Sequence, residues 1–415
     1  MTATEPACTV IVGSGHAGSE AAISLRQNGF SGRIVLIGEE AGLPYQRPPL
    51  SKGFLTGTVG LDALPIRAAA VYEKAGVEMR CGVRATRIDP ATKAVHLSDG
   101  DCLSYSHLIL ATGSSARQLQ VTGLSQHKPI NLHYLRSQAD AECMREQLEA
   151  GKRLVVVGGG YIGLEVASAA QAAGMQVTIL EAQSRILARV TAHEVSEFYQ
   201  QVHQAAGIDL RTNVQLEQVS LDAEGRVEAL LTTDGERFAA DVVLVGIGAQ
   251  PNVELAEQAG LDVDNGILVD AFARTSIADI YAIGDCSNQP SALYGRRLRL
   301  ESIPNALEQA RAATGNILGK AALAPSLPWF WSDQYDLKLQ IAGLSQGYDQ
   351  VVLRGSREAR SFAAFYLHEG RLIAADCINR QKEFMAIKKL VQAGYSGSPD
   401  ALADETVVLK ELVTG

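Results

Sequence analysis

One strand–turn–helix pattern occurs twice in the sequence and predicts an α/β protein with two Rossmann-like dinucleotide-binding domains. In the first copy, a β-branched run over 8–12 leads into a glycine turn at Gly13. In the second copy, the run 153–157 leads into a similar turn at Gly158. A third observation is a change of composition from 325 onward, where both tryptophans occur and a C-terminal α+β domain is expected.

The elements follow in order along the chain. The first copy predicts a helix over 17–28, a strand over 33–37, an ordered proline-containing loop over 42–53 and short strands from 77 to 111. The second copy predicts a helix over 161–173, a strand over 176–180 and further strands over 214–220, 227–233 and 238–245. The last segment predicts three or four antiparallel strands within 337–376 and a helix over 382–392.

Composition and charge exclude several classes of protein. The chain has 37 basic and 46 acidic residues, a formal net charge of −9, which argues against nucleic-acid binding. No apolar run approaches the ~20 residues of a membrane span. The six cysteines have no CxxC or CxxxxC spacing and the eight histidines are dispersed, so neither a disulfide framework nor a metal site is expected. We see no signal or transit peptide and expect a cytoplasmic protein.

The first glycine turn, Gly13-Ser-Gly15-His-Ala-Gly18, has the features of a dinucleotide site. The first glycine permits the tight turn, the second lets the backbone approach a pyrophosphate, and the third lets the helix pack on the strand. Glu39, at the end of the second strand, is placed to bind ribose hydroxyls. The alternative is a glycine-rich turn without a ligand and a solvated Glu39.

The second turn, Gly158-Gly-Gly160-Tyr-Ile-Gly163, repeats the arrangement, with Glu181 at the end of the next strand. Two such turns predict two dinucleotides, commonly a flavin and a nicotinamide. Glu181 would repel a 2′-phosphate, which favours NADH over NADPH, although Arg185 nearby weakens that preference.

Further motifs indicate which turn binds the flavin. The run TSIADIYAIGD (275–285) resembles the second FAD motif of the two-dinucleotide flavoprotein reductases, in which the carboxylate corresponding to Asp285 accepts a hydrogen bond from the ribityl chain. Ala111-Thr112-Gly113 and the run 246–251 are similar to domain-crossing signatures of that superfamily. Within it, the sequence resembles, nearly end to end, the ferredoxin reductases of bacterial oxygenase systems. The segments that carry this resemblance are 43–52, 153–167, 301–311 and 328–335.

This resemblance implies a glutathione-reductase-like fold with three domains. An FAD-binding domain would comprise 1–115 and 247–325, an NADH-binding domain 116–246, and a C-terminal α+β interface domain 326–415. One segment separates this sequence from the disulfide reductases of the superfamily: 13–60 contains no cysteine, whereas those enzymes have a CxxxxC pair near the first helix or the loop after it. Electrons would therefore pass from the flavin directly to an external acceptor.

The resemblance also implies roles for individual residues. Lys52 would lie near the reactive nitrogen of the flavin and Arg47 on the cofactor, where a cation favours the reduced ring. Backbone amides near Ile303 would stabilise negative charge on the reduced flavin. Glu301 would meet the nicotinamide amide, or be only a helix-terminal charge. Lys52 and Glu301 are the catalytic candidates. The positions expected to contact a cofactor are Gly13, Gly15, Ala17, Gly18, Glu39, Arg47, Lys52, Ala85, Ala111, Thr112, Gly113, Arg136, Gly284, Asp285, Ile303, Gly158, Gly160, Tyr161, Ile162, Gly163, Glu181 and Gly248.

The implied reaction is hydride transfer from NADH to FAD, followed by two single-electron transfers to a 2Fe–2S ferredoxin. That ferredoxin would supply a haem-thiolate monooxygenase or a ring-hydroxylating dioxygenase. Because such ferredoxins are acidic and this chain is too, transient docking requires a local basic patch. The candidates are Arg67, Arg311, Lys388 and Lys410, each alternatively a solvated charge, together with Trp331 or its neighbour Trp329 near the flavin.

Other functions remain open at this point. The same flavoenzyme could use rubredoxin, a quinone or an organic radical as its acceptor. A flavoprotein of the apoptosis-inducing-factor kind, in which NADH binding regulates a partner, is a second alternative. The sequence leaves the oligomeric state open and favours a monomer, with no nucleic-acid or membrane partner.

Overall fold

The computed structural model describes residues 7–124, 128–320, 323 and 327–413. The helices are α1 (His16–Gln27), α2 (Ala69–Lys74), α3 (Gln138–Arg145), α4 (Tyr161–Ala172), α5 (His193–Ala205), α6 (Glu254–Gln258), α7 (Ile303–Ile317), α8 (Gln381–Ala393) and α9 (Pro399–Ala403). The strands up to residue 211 are β1 (Cys8–Val12), β2 (Arg33–Gly38), β3 (Val77–Cys81), β4 (Ala85–Asp89), β5 (Ala94–Leu97), β6 (Cys102–Ser104), β7 (His107–Leu110), β8 (Ser114–Ala116), β9 (Leu132–His133), β10 (Arg153–Val157), β11 (Gln176–Leu180) and β12 (Asp209–Arg211). The later strands are β13 (Leu216–Leu221), β14 (Val227–Thr232), β15 (Arg237–Ala239), β16 (Val242–Val245), β17 (Ala249–Pro251), β18 (Ile267–Leu268), β19 (Ile280–Ala282), β20 (Ser287–Ser291), β21 (Arg296–Leu298), β22 (Trp329–Gln334), β23 (Leu337–Gly343), β24 (Gln350–Ser356), β25 (Ser361–His368) and β26 (Arg371–Ile378).

The chain forms two compact units. The first contains Met1–Gln46, Asp62–Ser115 and Gln250–Pro328, and the second contains Arg47–Leu61, Ala116–Ala249 and Trp329–Gly415. The first unit thus corresponds to most of the expected FAD-binding domain, without the loop 47–61. The second combines the expected NADH-binding domain with the C-terminal segment. The expected boundary between 325 and 326 lies outside the described residues, so the division into three domains stays a prediction.

The first unit is built on a parallel sheet with the strand order β19-β7-β1-β2-β3. Strand β1 is apolar on both faces because both faces are covered. On one face Val10 and Val12 pack with Val35 and other residues of the sheet and its antiparallel layer. On the other face Ile11 packs in a cluster that contains Leu25 and alanines of α1 together with alanines of α7. The glycine turn therefore follows a strand that is packed in the core on both faces.

The second unit repeats this plan in a parallel sheet with the order β12-β11-β10-β16-β9. Strand β10 pairs in parallel with β11 and β16, so the expected strand–turn–helix copy is confirmed. The single strand expected over 238–245 is wrong: β15 belongs to an antiparallel sheet with β13 and β14, and β16 belongs to the parallel sheet. The chain changes sheet near Asp241, whose carboxylate pairs with Arg153 at 2.6 Å.

The C-terminal part of the second unit is an antiparallel sheet with the order β22-β23-β26-β25-β24, with α8 packed against it. Four of its strands lie close to the expected range, and the helix begins one residue early. The additional edge strand β22 was not expected, because the aromatic run that forms it was interpreted only as the opening of the segment. Within the described residues no helix combines the length and apolar character needed to cross a bilayer.

Candidate functional site

At the first glycine turn, backbone segments approach one another so closely that only glycine fits. A Cβ on Gly13 would lie 2.1 Å from the Ala111 oxygen, and one on Gly18 would lie 1.9 Å from the Gly13 oxygen. Gly13 also has φ +111°, a conformation that L side chains rarely adopt. At Gly15, by contrast, a Cβ would meet no atom of the residues that the structure describes within 4 Å. The turn therefore leaves open space at the N-terminus of α1, where a phosphate is favoured.

The second expected FAD motif lies beside this turn. Gly284 has φ +77°, and a Cβ there would lie 3.1 Å from the Cβ of Ala17 and 3.8 Å from that of Ala306. Asp285 accepts a hydrogen bond from Ser114 Oγ at 2.8 Å. Helices α1 and α7 thus meet at a glycine because a side chain would separate them, and the Asp285 carboxylate is held by a hydroxyl.

The segment Ala111-Thr112-Gly113 is hydrogen-bonded to Asn252, which lies where the chain re-enters the first unit. Thr112 Oγ1 donates to the Asn252 oxygen at 2.7 Å, and Asn252 Nδ2 donates back to the Thr112 oxygen at 2.8 Å. The backbone amide of Asn252 also donates to the backbone oxygen of Gly113 at 3.0 Å. Sequence reasoning missed Asn252, although its position after a Gln-Pro pair marks it as a turn residue.

The remaining candidates of the first unit differ in exposure. Glu39 is two-thirds exposed and lies 3.3 Å from Arg84. Ala85 is buried in the core, so only its backbone can face a ligand. Ile303 begins α7, behind the N-cap Ser302. Glu301 pairs with Arg299 at 2.5 Å and remains partly exposed.

The second glycine turn has the same close backbone contacts as the first at its first and last glycines. A Cβ on Gly158 would lie 2.5 Å from the Gly246 oxygen, and one on Gly163 would lie 2.3 Å from the Gly158 oxygen. Near Gly160 the closest atom would be 4.0 Å away. Glu181 holds the turn, because its Oε2 accepts from the Gly159 amide at 2.6 Å.

Beyond this turn, Tyr161 and Ile162 face different surroundings. The Tyr161 ring packs on Phe330 with centroids 4.9 Å apart, and burial raises the pKa of its hydroxyl, which has no hydrogen-bond partner among the described residues. Ile162 is nearly half exposed. Gly248 has φ +107°, and its oxygen accepts from the Arg117 amide at 2.9 Å.

The loop containing Lys52 is anchored by a carboxylate that the sequence did not predict. Lys52 Nζ lies 2.7 Å from Oε2 of Glu165, on α4, and Ser51 Oγ donates to the same oxygen at 2.5 Å. Glu165 is only 4% exposed. The structure also brings Arg47 and Arg136 together, since Arg47 Nη1 donates to the Arg136 oxygen. A glutamate within an apolar helical segment was the available signal for Glu165, but its partner was not visible in the spacing.

Two of the basic docking candidates share one acidic partner. Arg67 Nη2 lies 2.6 Å from Glu20 Oε2, and Arg311 Nε lies 3.0 Å from Glu20 Oε1. The Glu20 side chain is 10% exposed, whereas that of Arg311 is 62% exposed. The structure thus brings together three residues that lie far apart in the sequence: Glu20 on α1, Arg67 before α2 and Arg311 on α7.

The other docking candidates belong to the C-terminal part of the second unit. Lys388 Nζ lies 4.7 Å from the centroid of Trp329, a cation–π distance. Trp331 lies beside Trp329, with ring centroids 5.7 Å apart, and Lys410 is exposed.

The cysteine beside the second FAD motif is a buried packing residue. Cys286, next to Asp285, is fully buried, and its thiol lies within hydrogen-bonding distance of the backbone oxygens of Leu110 and Ile283. Burial raises the pKa of this thiol, which makes it a packing residue. Across the described part of the chain, no group of three or more His, Cys, Asp or Glu side chains is arranged to hold a metal ion.

The two glycine turns, each opening a helix after a parallel strand, define a two-dinucleotide oxidoreductase. The chain belongs to the pyridine nucleotide-disulphide oxidoreductase family, whose model matches residues 8–310. The reductase C-terminal family model matches residues 329–413. These matches confirm the expected α/β fold with dinucleotide-binding domains and a C-terminal domain.

Individual relatives cover almost the whole chain. Putidaredoxin reductase of Pseudomonas putida is 45% identical over 406 residues, which is 97% of this chain and 96% of that protein. Rhodocoxin reductase of Rhodococcus erythropolis is 41% identical over 401 residues, covering 97% and 93%. Among solved structures, the covalent putidaredoxin reductase–putidaredoxin complex matches with a TM-score of 0.96 and 44% identity, over 99% of both chains.

Proposed function

We propose that this protein is an NADH-dependent ferredoxin reductase that binds FAD at the Gly13 turn and NADH at the Gly158 turn. The observation that carries the proposal is the pair of matching backbone cradles. In each, two glycines admit a close backbone crossing, while Gly15 and Gly160 leave room in front of a helix N-terminus. That is the space a pyrophosphate needs, so the residues fit both cofactors.

Residues of each unit have separate roles in this proposal. In the first unit Asp285 offers a carboxylate to the ribityl chain and exposed Glu39 offers one to the ribose of FAD. Bound FAD supplies an acceptor for hydride and a donor of single electrons. In the second unit the Glu165 carboxylate holds the Lys52 ammonium in place, and in this proposal Lys52 is the cation that favours the reduced flavin.

The preference for NADH follows from charge at the end of β11. The Glu181 carboxylate would repel a 2′-phosphate. The nearby cation Arg185 donates to the backbone oxygens of Ala188 and Ala192 at 3.0 and 3.4 Å. Because its guanidinium is bound to its own loop, Arg185 does not offset the charge of Glu181, and the preference for NADH over NADPH is strengthened.

The proposed electron acceptor is an acidic 2Fe–2S ferredoxin that docks transiently. Glu20 holds Arg67 and Arg311 together, so one negative charge accompanies two positive ones. Arg311 uses Nε for Glu20, and its exposed guanidinium is oriented by that bond before a partner arrives. A fixed cation loses less side-chain entropy on docking than a free one.

The test is reduction of cytochrome c by the purified yellow holoenzyme. We expect fast NADH-dependent reduction only when a 2Fe–2S ferredoxin is added, and much slower bleaching of the flavin by NADPH under anaerobic conditions. Equal reduction by both nucleotides would refute the NADH assignment. Activity that is supported equally by rubredoxin or by a quinone, with no gain from ferredoxin, would refute the acceptor.

A further inference from the structure

The buried carboxylate of Glu165 is held from two different parts of the second unit. Its Oε2 faces the loop 47–53 and accepts from Lys52 and Ser51. Its Oε1 accepts from Ser332 Oγ, on strand β22, at 2.6 Å. Ser332 itself is fully buried. Because a desolvated carboxylate needs a donor at each oxygen, the hydroxyl of Ser332 completes this site.

The direction of every hydrogen bond beyond Ser332 is determined by the carboxylate. The Ser332 hydrogen points to Glu165, so its oxygen accepts from Gln334 Nε2 at 3.3 Å. Gln334 Oε1 therefore faces His203, whose Nε2 lies 2.8 Å away and must carry the hydrogen. His203 Nδ1 then accepts from the Tyr335 hydroxyl at 3.2 Å. Burial lowers the pKa of His203, in agreement with a neutral ring.

We propose that Ser332 is a positioning residue for Lys52: it occupies one oxygen of Glu165, so that the other oxygen alone anchors the ammonium. This inference rests on the proposed function, in which the charge of Lys52 favours reduced flavin. Strand β22 thereby contributes to the electron chemistry of the enzyme, in addition to any role of the C-terminal domain in docking.

Removing the Ser332 hydroxyl should shift the reduction potential of the flavin in one direction. Without its donor, Oε1 carries less compensated negative charge and attracts the Lys52 ammonium away from its position on Oε2. Both effects disfavour the reduced flavin, which is the more negatively charged form. The reduction potential of the holoenzyme should therefore become more negative.

The first experiment measures the flavin midpoint potential of the holoenzyme at pH 8 without ferredoxin. Ser332→Thr and Ser332→Val are a matched pair, because they have the same shape and differ in the hydroxyl. We expect Ser332→Val and Ser332→Ala to lower the equilibrium constant for flavin reduction about tenfold. For a two-electron couple this makes the midpoint potential about 30 mV more negative. Ser332→Thr should stay close to the native value. If the larger side chains prevent folding, Gln334→Leu tests the next bond of the same series, with a smaller shift in the same direction.

The second experiment is a double-mutant cycle that reads the melting temperature of the holoenzyme. Ser332→Ala should lower Tm more in the native protein than in a Glu165→Gln background, where the charge that the hydroxyl stabilises is gone. A purely packing role for Ser332 would give the same loss of Tm in both. Equal losses, or equal potentials for the Thr and Val variants, would overturn the inference.

A Lys52→Met variant separates the inference from the function on which it rests. If Lys52→Met shifts the potential while Ser332→Ala does not, Ser332 is not a positioning residue and the role of Lys52 stands. If neither substitution shifts the potential, the role assigned to Lys52 is wrong and the inference falls with it.

Discussion

Replacing Arg311 by glutamine tests the docking surface without damaging the fold. Glu20 is nearly buried and keeps Arg67 at 2.6 Å when Arg311 is lost, so its charge stays paired. Arg311→Glu, the obvious charge reversal, would instead place a second carboxylate 3 Å from Glu20, by the present Nε distance of 3.0 Å. A loss of activity would then mix docking with local destabilisation.

The expected magnitude follows from the exposure of the Arg311 side chain, which is 62%. An exposed charge contact contributes about 0.2–1 kcal/mol and is screened by salt. One such contact changes a dissociation constant by at most about fivefold. We therefore expect the KM for ferredoxin to rise by about two- to fivefold at low ionic strength, with the difference shrinking as salt is added.

The assay is ferredoxin-dependent cytochrome c reduction, with flavin reduction by NADH followed separately in stopped flow. Arg33→Gln is a matched control, because Arg33 is also an exposed arginine paired with a carboxylate, Glu78, at 2.7 Å. Both substitutions change the net charge equally. Flavin reduction and ferricyanide reduction should be unchanged in both variants. The same KM for ferredoxin in the two variants would refute the assignment of Arg311.

Three further predictions follow from single contacts. Asp285→Ala removes the acceptor held by Ser114 and should weaken FAD binding by about 1–3 kcal/mol, measured by flavin release on ultrafiltration; unchanged affinity would exclude Asp285 from the site. Gly158→Ala puts a Cβ 2.5 Å from the Gly246 oxygen, so NADH titration should show lost binding in a protein that still holds FAD. Burial raises the pKa of Asp376 from 3.8 to about 6, so the native protein should lose roughly 3 kcal/mol of stability as pH rises from about 4 to about 6, because the folded state holds its proton longer. Asp376→Asn should lack this loss in unfolding experiments across that range, and a parallel loss in the variant would assign it to another group.

The sequence by itself determined the parts of the protein that depend on local backbone geometry. Glycines with positive φ, such as Gly13 and Gly158, are required wherever a strand turns sharply into a helix, so their spacing predicted both cradles. Buried parallel strands such as β1 and β10 are continuous apolar runs, which made them visible without any tertiary information. Strand β22 was missed because its alternation is hidden by aromatic residues on both faces.

Only the tertiary structure decided which charged side chains meet. Glu165 lies 113 residues from Lys52 and 167 from Ser332, and Glu20 lies 291 residues from Arg311. Periodicity places each of these residues on a helix, strand or loop, but it carries no information about a partner so distant along the chain. Such pairs form because packing removes water from a carboxylate, and the nearest available donors must then replace that water.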